Sequence, residues 1–243
     1  MASKVWDDYW SHLEDRRWEL NRPQARILQR IGIEGKRILE IGFGSGTTSS
    51  YLAENGASVV GIDISLPALR NAKGRGATFA ILCADGRALP FPDSSFDIVF
   101  HQGVLEHFRD PLPLLKEQGR VLRKGGALVV DVPQKYQLYT LMKRKKMREG
   151  TWPFGWETEY SYFQLKKLLE ILGFKVRGHY ANGYHPEWFR LLRIAHTIGQ
   201  RRFGRPVMPN AVGRVYDWLW QQLELSLPAC FFLVAVGVWG EKT

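Results

Sequence analysis

Cysteine is scarce in this chain: Cys83 and Cys230 are the only two among 243 residues. Two cysteines cannot build the disulfide framework of a small secreted scaffold, so a reducing cytoplasm is the expected compartment. Long apolar runs are lacking as well. The best, Ala229 to Trp239, falls short of the ~20 residues that a membrane-spanning helix needs and reads as a buried strand. The opening Met-Ala-Ser-Lys-Val-Trp-Asp-Asp has no apolar core like that of a signal peptide. No Cys/His spacing suggests zinc, and there is no internal repeat or low-complexity tract.

Acidic residues run short in one segment. Residues 1–134 hold 17 Lys/Arg against 16 Asp/Glu, residues 135–214 hold 16 against 5, and residues 215–243 hold 1 against 3. The net charge of +10 is thus a property of the middle segment. Such a local excess fits an anionic partner or surface, and it fits a solvated basic face equally well.

A hydrophobic fraction of 45% over 243 residues supports one large α/β domain. Short aliphatic runs bounded by Gly, Asp or Pro predict strands at Arg37–Ile41, Ser58–Ile62, Thr78–Leu82, Asp97–His101 and Ala127–Val132. Helices are expected between several of them, over Thr47–Asn55, closed by Gly56, and over Leu112–Leu122. This alternation argues a parallel sheet with helices on both faces. Two helices are expected ahead of it, Val5–Leu20 and Pro23–Ile31, the first carrying Trp6, Trp10, Leu13 and Arg17 roughly on one face. Behind it come helices over Tyr136–Met147 and Tyr160–Leu172, then strands over Phe174–Tyr180 and Phe231–Trp239. The intervening Ala181–Ala229 is too long for a hairpin and holds two helix candidates, Pro186–Ile198 and Ala211–Leu225. The division that follows is an N-terminal helical lid at 1–35, a core at 36–135, and a C-terminal part of the same domain at 136–243 with a helical substrate cap at about 181–229.

Chemistry concentrates at Ile38-Leu-Glu-Ile-Gly-Phe-Gly-Ser-Gly46-Thr. An apolar strand enters a glycine-rich turn and then a helix, a geometry that lets a ligand approach the backbone closely. Dinucleotide sites typically read Gly-x-Gly-x-x-Gly, whereas here the third glycine comes early and Thr47 takes the later place. Asp63 ends the second strand about twenty residues on. Its carboxylate suits both hydroxyls of a ribose, and it could equally cap the next helix in competition with Ser65. Leu82-Cys-Ala-Asp85-Gly86 follows the third strand and could be a plain Asp-Gly turn. Further on stand Leu89-Pro-Phe-Pro-Asp-Ser-Ser-Phe-Asp97, Gly103-Val-Leu-Glu-His107-Phe and Leu122-Arg-Lys-Gly-Gly-Ala.

These motifs, in this order, resemble class I S-adenosylmethionine-dependent methyltransferases, and within them the subgroup that includes ubiquinone and menaquinone biosynthesis enzymes. The resemblance covers about residues 36–135. It departs at Arg123-Lys124, where proline is more usual before the glycines. It implies a Rossmann-like seven-stranded sheet, mostly parallel with the last strand antiparallel, with added helices roofing the active site. It implies S-adenosyl-L-methionine as cofactor and S-adenosyl-L-homocysteine as product. Glu40, Gly42, Gly44 and Gly46 would form the turn beneath the methionine part. Asp63 and Ile64 would meet the ribose side, Asp85 and Gly86 the adenine, and His101 and Gln102 the cofactor after the fourth strand, His101 through its backbone.

The cofactor carries the hard chemistry and the protein aligns a nucleophile behind the methyl group. A base is needed only for a protonated acceptor, and His107 is the candidate; it reads also as a structural histidine fixing its loop. No Asp/Asn-Pro-Pro-aromatic run resembles amino-group DNA methyltransferases, neither cysteine sits as in cytosine-C5 enzymes, and no Asp/Asn cluster suggests magnesium. The expectation is a metal-free enzyme acting on a small-molecule or lipid-like acceptor, ring-bearing or anionic. Trp152, Trp156, Tyr160, Tyr162, Tyr184, Trp188, Arg190 and Arg193 would wall its site, or else pack an ordinary subdomain. Peripheral membrane contact through Pro186–Ile198 is a further expectation, without a transmembrane segment. Two alternatives stand beside the enzyme reading, an RNA-directed methyltransferase and a noncatalytic S-adenosylmethionine-binding module, with a dinucleotide oxidoreductase more remote.

Overall fold

Aliphatic runs punctuated by glycine and aspartate build an alternating strand–helix chain in the computed structural model, which describes residues 2–13, 20, 22–136, 138–182 and 235–243. Helices α1 (Ala2–Ser11) and α2 (Arg22–Ile31) precede β1 (Arg37–Ile41), α3 (Thr47–Glu54), β2 (Ser58–Asp63), α4 (Leu66–Gly74), β3 (Ala80–Cys83) and β4 (Phe96–Gln102). A 3₁₀ turn at Leu105–His107 leads into α5 (Leu112–Val121), β5 (Leu122–Pro133), α6 (Leu138–Arg148), α7 (Tyr162–Ile171), β6 (Phe174–Asn182) and β7 (Ala235–Lys242).

The strands form one seven-stranded sheet in the order β3-β2-β1-β4-β5-β7-β6. Strands β1 to β5 pair in parallel, and β7 runs antiparallel to both β5 and β6. This is the expected fold class, a Rossmann-like α/β sheet with its last strand reversed. Both faces are covered. Ile38, Ile98, Phe100 and Val129 pack with Leu28 of α2 and Leu52 of α3. On the opposite face Leu39, Val99, Leu128 and Val130 pack with Leu114 and Leu115 of α5 and Leu165 and Leu169 of α7. Burial on both sides explains why the strands read as continuous apolar runs without polar alternation.

Local signals set the helix ends. Ser65 caps α4, its hydroxyl accepting from Ala68 N–H, and Ser161 forms a capping box with Gln164 at the start of α7. Three sequence expectations shift. Helix α1 ends at Ser11, short of the expected Leu20, and residues 14–19 lie outside the described residues. Strand β5 begins at Leu122, five residues before the expected Ala127, because Lys124-Gly-Gly does not break the strand. Gly125 takes a left-handed conformation (φ 73°) and the pairing with β4 shifts register between Phe96 and Ile98, a bulge-like irregularity. Strand β7 runs on to Lys242 because its pairing with β5 extends to Glu241 opposite Ala127. The candidate helices Pro186–Ile198 and Ala211–Leu225 lie outside the described residues.

Register places the site. Ile41 stands beside Ile62 on one side and His101 on the other. The glycine turn, Asp63 and Gln102 therefore leave the sheet at one carboxyl edge, where open α/β sheets hold ligands.

Candidate cofactor and acceptor site

At that edge opens a cavity of about 490 Å³, within the range of small-molecule sites. Gly42, Gly44, Asp63, Ile64, Asp85 and Gly86 line one part; Gln102, Trp6, Trp10, His107 and Arg109 line the rest.

The turn is built around Gly44. Its φ of 52° lies in the left-handed region, and a Cβ there would fall 2.6 Å from the Trp10 ring. Glycine thus lets the backbone turn and lets α1 close over it. Asp63 holds the turn in place. Its Oδ2 accepts from Gly44 N–H at 3.0 Å and its Oδ1 from Ser65 N–H at 2.9 Å. Burial raises its pKa, while these N–H donors pull the other way. The Asp63 carboxylate therefore both caps its own turn and fastens the glycine loop, and it still borders the cavity.

Three expected cofactor residues sit behind the wall. Glu40 is buried, accepts a hydrogen bond from the Ser49 hydroxyl of α3, and has its pKa pushed up to about 8 by burial. It ties β1 to α3 beneath the turn and does not line the cavity. Gly46 is the left-handed cap of α3 and faces the Phe79 ring. His101 is fully buried, and desolvation takes its pKa down to about 3. Its carbonyl accepts from Gln24 Nε2 at 3.3 Å, so the backbone contact expected of it goes to α2. The chain reaches the cavity at the next residues, Gln102 and Gly103.

Asp85 and Gly86 border the cavity as expected. Arg87 grips the Asp85 carboxylate (2.7 Å from Nη2 to Oδ2) and holds its pKa below the usual range. A Cβ on Gly86 would fall 2.8 Å from Leu114 and 2.9 Å from Ile41, so the floor closes only on glycine.

The other part of the cavity is aromatic. Trp6 stacks on Phe154 (5.8 Å between centroids) and meets the His107 ring edge to face at 4.8 Å. Trp152 packs on Phe154 from the loop after α6. Burial lowers the His107 pKa, opposed in part by the charge of Glu157, which leaves the imidazole neutral at neutral pH. Its Nε2 lies 4.0 Å from Glu106 Oε1.

Sequence reasoning placed Trp6 and Trp10 in a roof, and the structure brings both to the cavity. It named Tyr160 as a wall residue, but Tyr160 is buried in the main core, and Tyr162 packs on His179 away from this cavity. Tyr184, Trp188, Arg190 and Arg193 lie outside the described residues. It did not single out Phe108, Arg87 or Arg109, which lie in or directly after the motifs, or Phe154, whose surroundings carry no motif. Lys143 belongs to the basic segment 135–214, whose charge fits an anionic partner and a solvated face equally well in the sequence. Lys143 is fully buried and pairs with Glu157 at 2.9 Å, which in turn accepts from Trp152 Nε1. Among the described residues no group of three or more His, Cys, Asp or Glu could hold a metal ion.

A glycine turn tied to the acid at the end of β2, with an Asp-Gly pair after β3 and strand order 3-2-1-4-5-7-6, forms a candidate ligand site in the arrangement that the sequence resemblance implies for a methyltransferase. The comparisons agree. Residues 39–130 match the family model of the methyltransferase domain. The chain is 35% identical over 127 residues to demethylmenaquinone methyltransferase of Renibacterium salmoninarum, covering 52% of each protein. It is 33% identical over 120 residues to malonyl-[acyl-carrier protein] O-methyltransferase of Pseudescherichia vulneris, covering 49% of this chain and 47% of that one. The chain spans about half the length of the curated relatives it matches. A solved S-adenosylmethionine-dependent methyltransferase of Thermotoga maritima superposes over the whole of both chains with a TM-score of 0.64 at 19% identity, which shows the fold. Residues 39–130 are therefore similar to methyltransferase domains, and the chain takes the fold of a solved S-adenosylmethionine-dependent methyltransferase.

Proposed function

We propose that the protein transfers the methyl group of S-adenosyl-L-methionine to a small-molecule or lipid-like acceptor held against the aromatic wall of Trp6, Trp10 and His107. One observation carries this reading: the glycine turn with its acids and the aromatic wall border one continuous cavity of about 490 Å³. The residues present fit the cofactor. Gly42 and Gly44 offer a side-chain-free turn for the methionine part, Asp63 a carboxylate for ribose hydroxyls, and Asp85-Gly86 an acceptor and a backbone N–H for adenine. When bound, the cofactor supplies an electrophilic methyl on a sulfonium.

The rest falls to the chain. Trp6, Trp10 and Phe108 exclude water and present flat apolar surface to a ring or chain, with Phe154 stacked on Trp6. His107, neutral in this setting, takes a proton at an imidazole nitrogen when the acceptor is a hydroxyl or an acidic carbon. In this reading residues 1–35 act as a lid and residues 136–243 supply the acceptor side. The names of the relatives point to quinone-like and acyl-thioester acceptors. A second reading, an RNA-directed enzyme, draws support from the 16 basic against 5 acidic residues of segment 135–214.

The test is release of S-adenosyl-L-homocysteine with three acceptors: a hydroxynaphthoquinone, a malonyl thioester and a transfer RNA. Turnover with either of the first two supports the proposal. Turnover with the RNA alone, falling steeply with salt, favours the second reading. Absence of S-adenosylmethionine binding in calorimetry would reject both.

A further inference from the structure

Two cations line the cavity, and they are differently placed. Arg87 is neutralised by Asp85. Arg109 stands 4.2 Å over the ring of Trp156, and among the described residues no carboxylate forms an ion pair with it. Its neighbour Asp110 also lines the cavity but forms no ion pair with it, and its Oδ1 accepts from Leu112 N–H at 3.0 Å.

The platform beneath Arg109 is fixed. Trp156 Nε1 donates to Thr158 Oγ1 at 3.1 Å, the Thr158 hydroxyl donates to Phe108 carbonyl oxygen at 3.4 Å, and Thr158 N–H donates to the Glu106 carbonyl. The loop that carries Trp156 is thus stitched to the segment that carries Arg109. A guanidinium stacked on an aromatic face keeps its edge N–H groups free, which is the geometry for a carboxylate or phosphate.

We infer that Arg109 on Trp156 is an anion-recognition point that holds an acidic group of the methyl acceptor, a carboxylate or a phosphate. The inference rests on the methyl-transfer reading and narrows it. S-adenosylmethionine has one anionic group, its methionine carboxylate, and the methionine part belongs at the glycine turn. The counter-charge of Arg109 therefore comes with the second ligand. An acceptor that joins a ring or apolar chain to an acidic group satisfies Trp6, Trp10 and Arg109 together.

The test is calorimetry on the full chain loaded with S-adenosylhomocysteine, titrated with phenyl phosphate, benzoate and phenol. Arg109→Gln is the test variant. Lys145→Gln, an exposed charge removed on α6, controls for general electrostatics. The expected result is binding of phenyl phosphate or benzoate that weakens at least tenfold in Arg109→Gln, with the control unchanged and S-adenosylhomocysteine affinity equal in all three proteins. The better-bound anion tells phosphate from carboxylate. Equal binding in Arg109→Gln and wild type, phenol binding as tightly as the anions, or no anion binding would each overturn the inference. Failure of S-adenosylhomocysteine itself to bind the wild type would overturn the methyl-transfer reading beneath it.

Discussion

The carboxylate of Asp63 accepts a hydrogen bond from the backbone N–H of Gly44, 3.0 Å away and 19 residues earlier in the chain. A residue at the end of one strand thereby sets the conformation of the turn after the adjacent strand. The acid expected to bind ribose is a structural acceptor first, so in the proposed reading cofactor affinity and loop order are coupled through one side chain.

Asp63→Asn replaces one accepting oxygen by a donor and leaves either Gly44 or Ser65 N–H unpaired. A buried donor without a partner costs about 1–3 kcal/mol. Urea denaturation should show a loss of that size, and calorimetry a drop of at least tenfold in S-adenosylmethionine affinity. Gly44→Ala should do the same by another route, since its φ of 52° and the Trp10 ring 2.6 Å from a new Cβ both oppose a side chain. A Gly44→Ala protein with wild-type affinity would remove the turn from the cofactor site.

Lys143 is fully buried against Glu157. Lys143→Met strands a carboxylate in the interior, and breaking a buried pair from one side costs about 3–5 kcal/mol. Lys143→Met/Glu157→Gln removes both charges and should recover most of the loss, as thermal melts of the four proteins in the cycle will show. Equal melting of the single and double variants would mean that the two charges are not coupled.

Glu40 has a folded pKa of about 8, above the ordinary carboxylate range, because burial opposes its charge. An acid raised in this way contributes stability that is complete below its unfolded pKa and is lost as pH rises toward 8. Glu40→Gln mimics the protonated form and donates no proton to solvent. Its stability relative to wild type should therefore improve between pH 5 and pH 8 by at least about 1 kcal/mol, given that one pKa unit corresponds to about 1.4 kcal/mol. A pH-independent difference would show that Glu40 is ionised throughout.

Burial lowers the pKa of His107 from its usual value. Base catalysis by His107 requires the neutral imidazole, so kcat should be level above about pH 6.5 and fall as acid titrates the ring. His107→Gln should lower kcat by about 10²–10⁴ for a hydroxyl or carbon acceptor, with S-adenosylmethionine binding unchanged. An unchanged kcat would leave His107 as part of the wall on which Trp6 packs.

Much of the cofactor side is written in short stretches of sequence. Strand, turn and helix at Arg37–Glu54 follow from an apolar run, three closely spaced glycines and a following helix stop, all within a few residues of one another. The parallel sheet follows from repeating that unit, and Asp63 and Asp85 fall at its edge because each ends or follows a strand. Side-chain direction was less legible: Glu40 and His101 belong to the same strand ends yet point into the packed layers, because alternate residues of a two-faced sheet are both buried.

What the sequence by itself determined is the local strand–turn–helix units and the placing of the glycine turn, Asp63 and Asp85 at one edge of the sheet. The tertiary structure alone decided which side chains face them across the cavity. Trp6 from α1 and His107 from the turn after β4 meet at one cavity although about 100 residues part them, with Phe154 from the loop after α6 stacked on Trp6, and no periodicity encodes such a meeting. Lys143 and Arg109 carry the same kind of charge in the sequence. Packing buried the first against Glu157 and left the second stacked on Trp156 at the cavity, with no ion-pair partner among the described residues. The reason is physical: turn chemistry and hydrophobic period act over a few residues, whereas burial and pairing depend on which distant elements pack together.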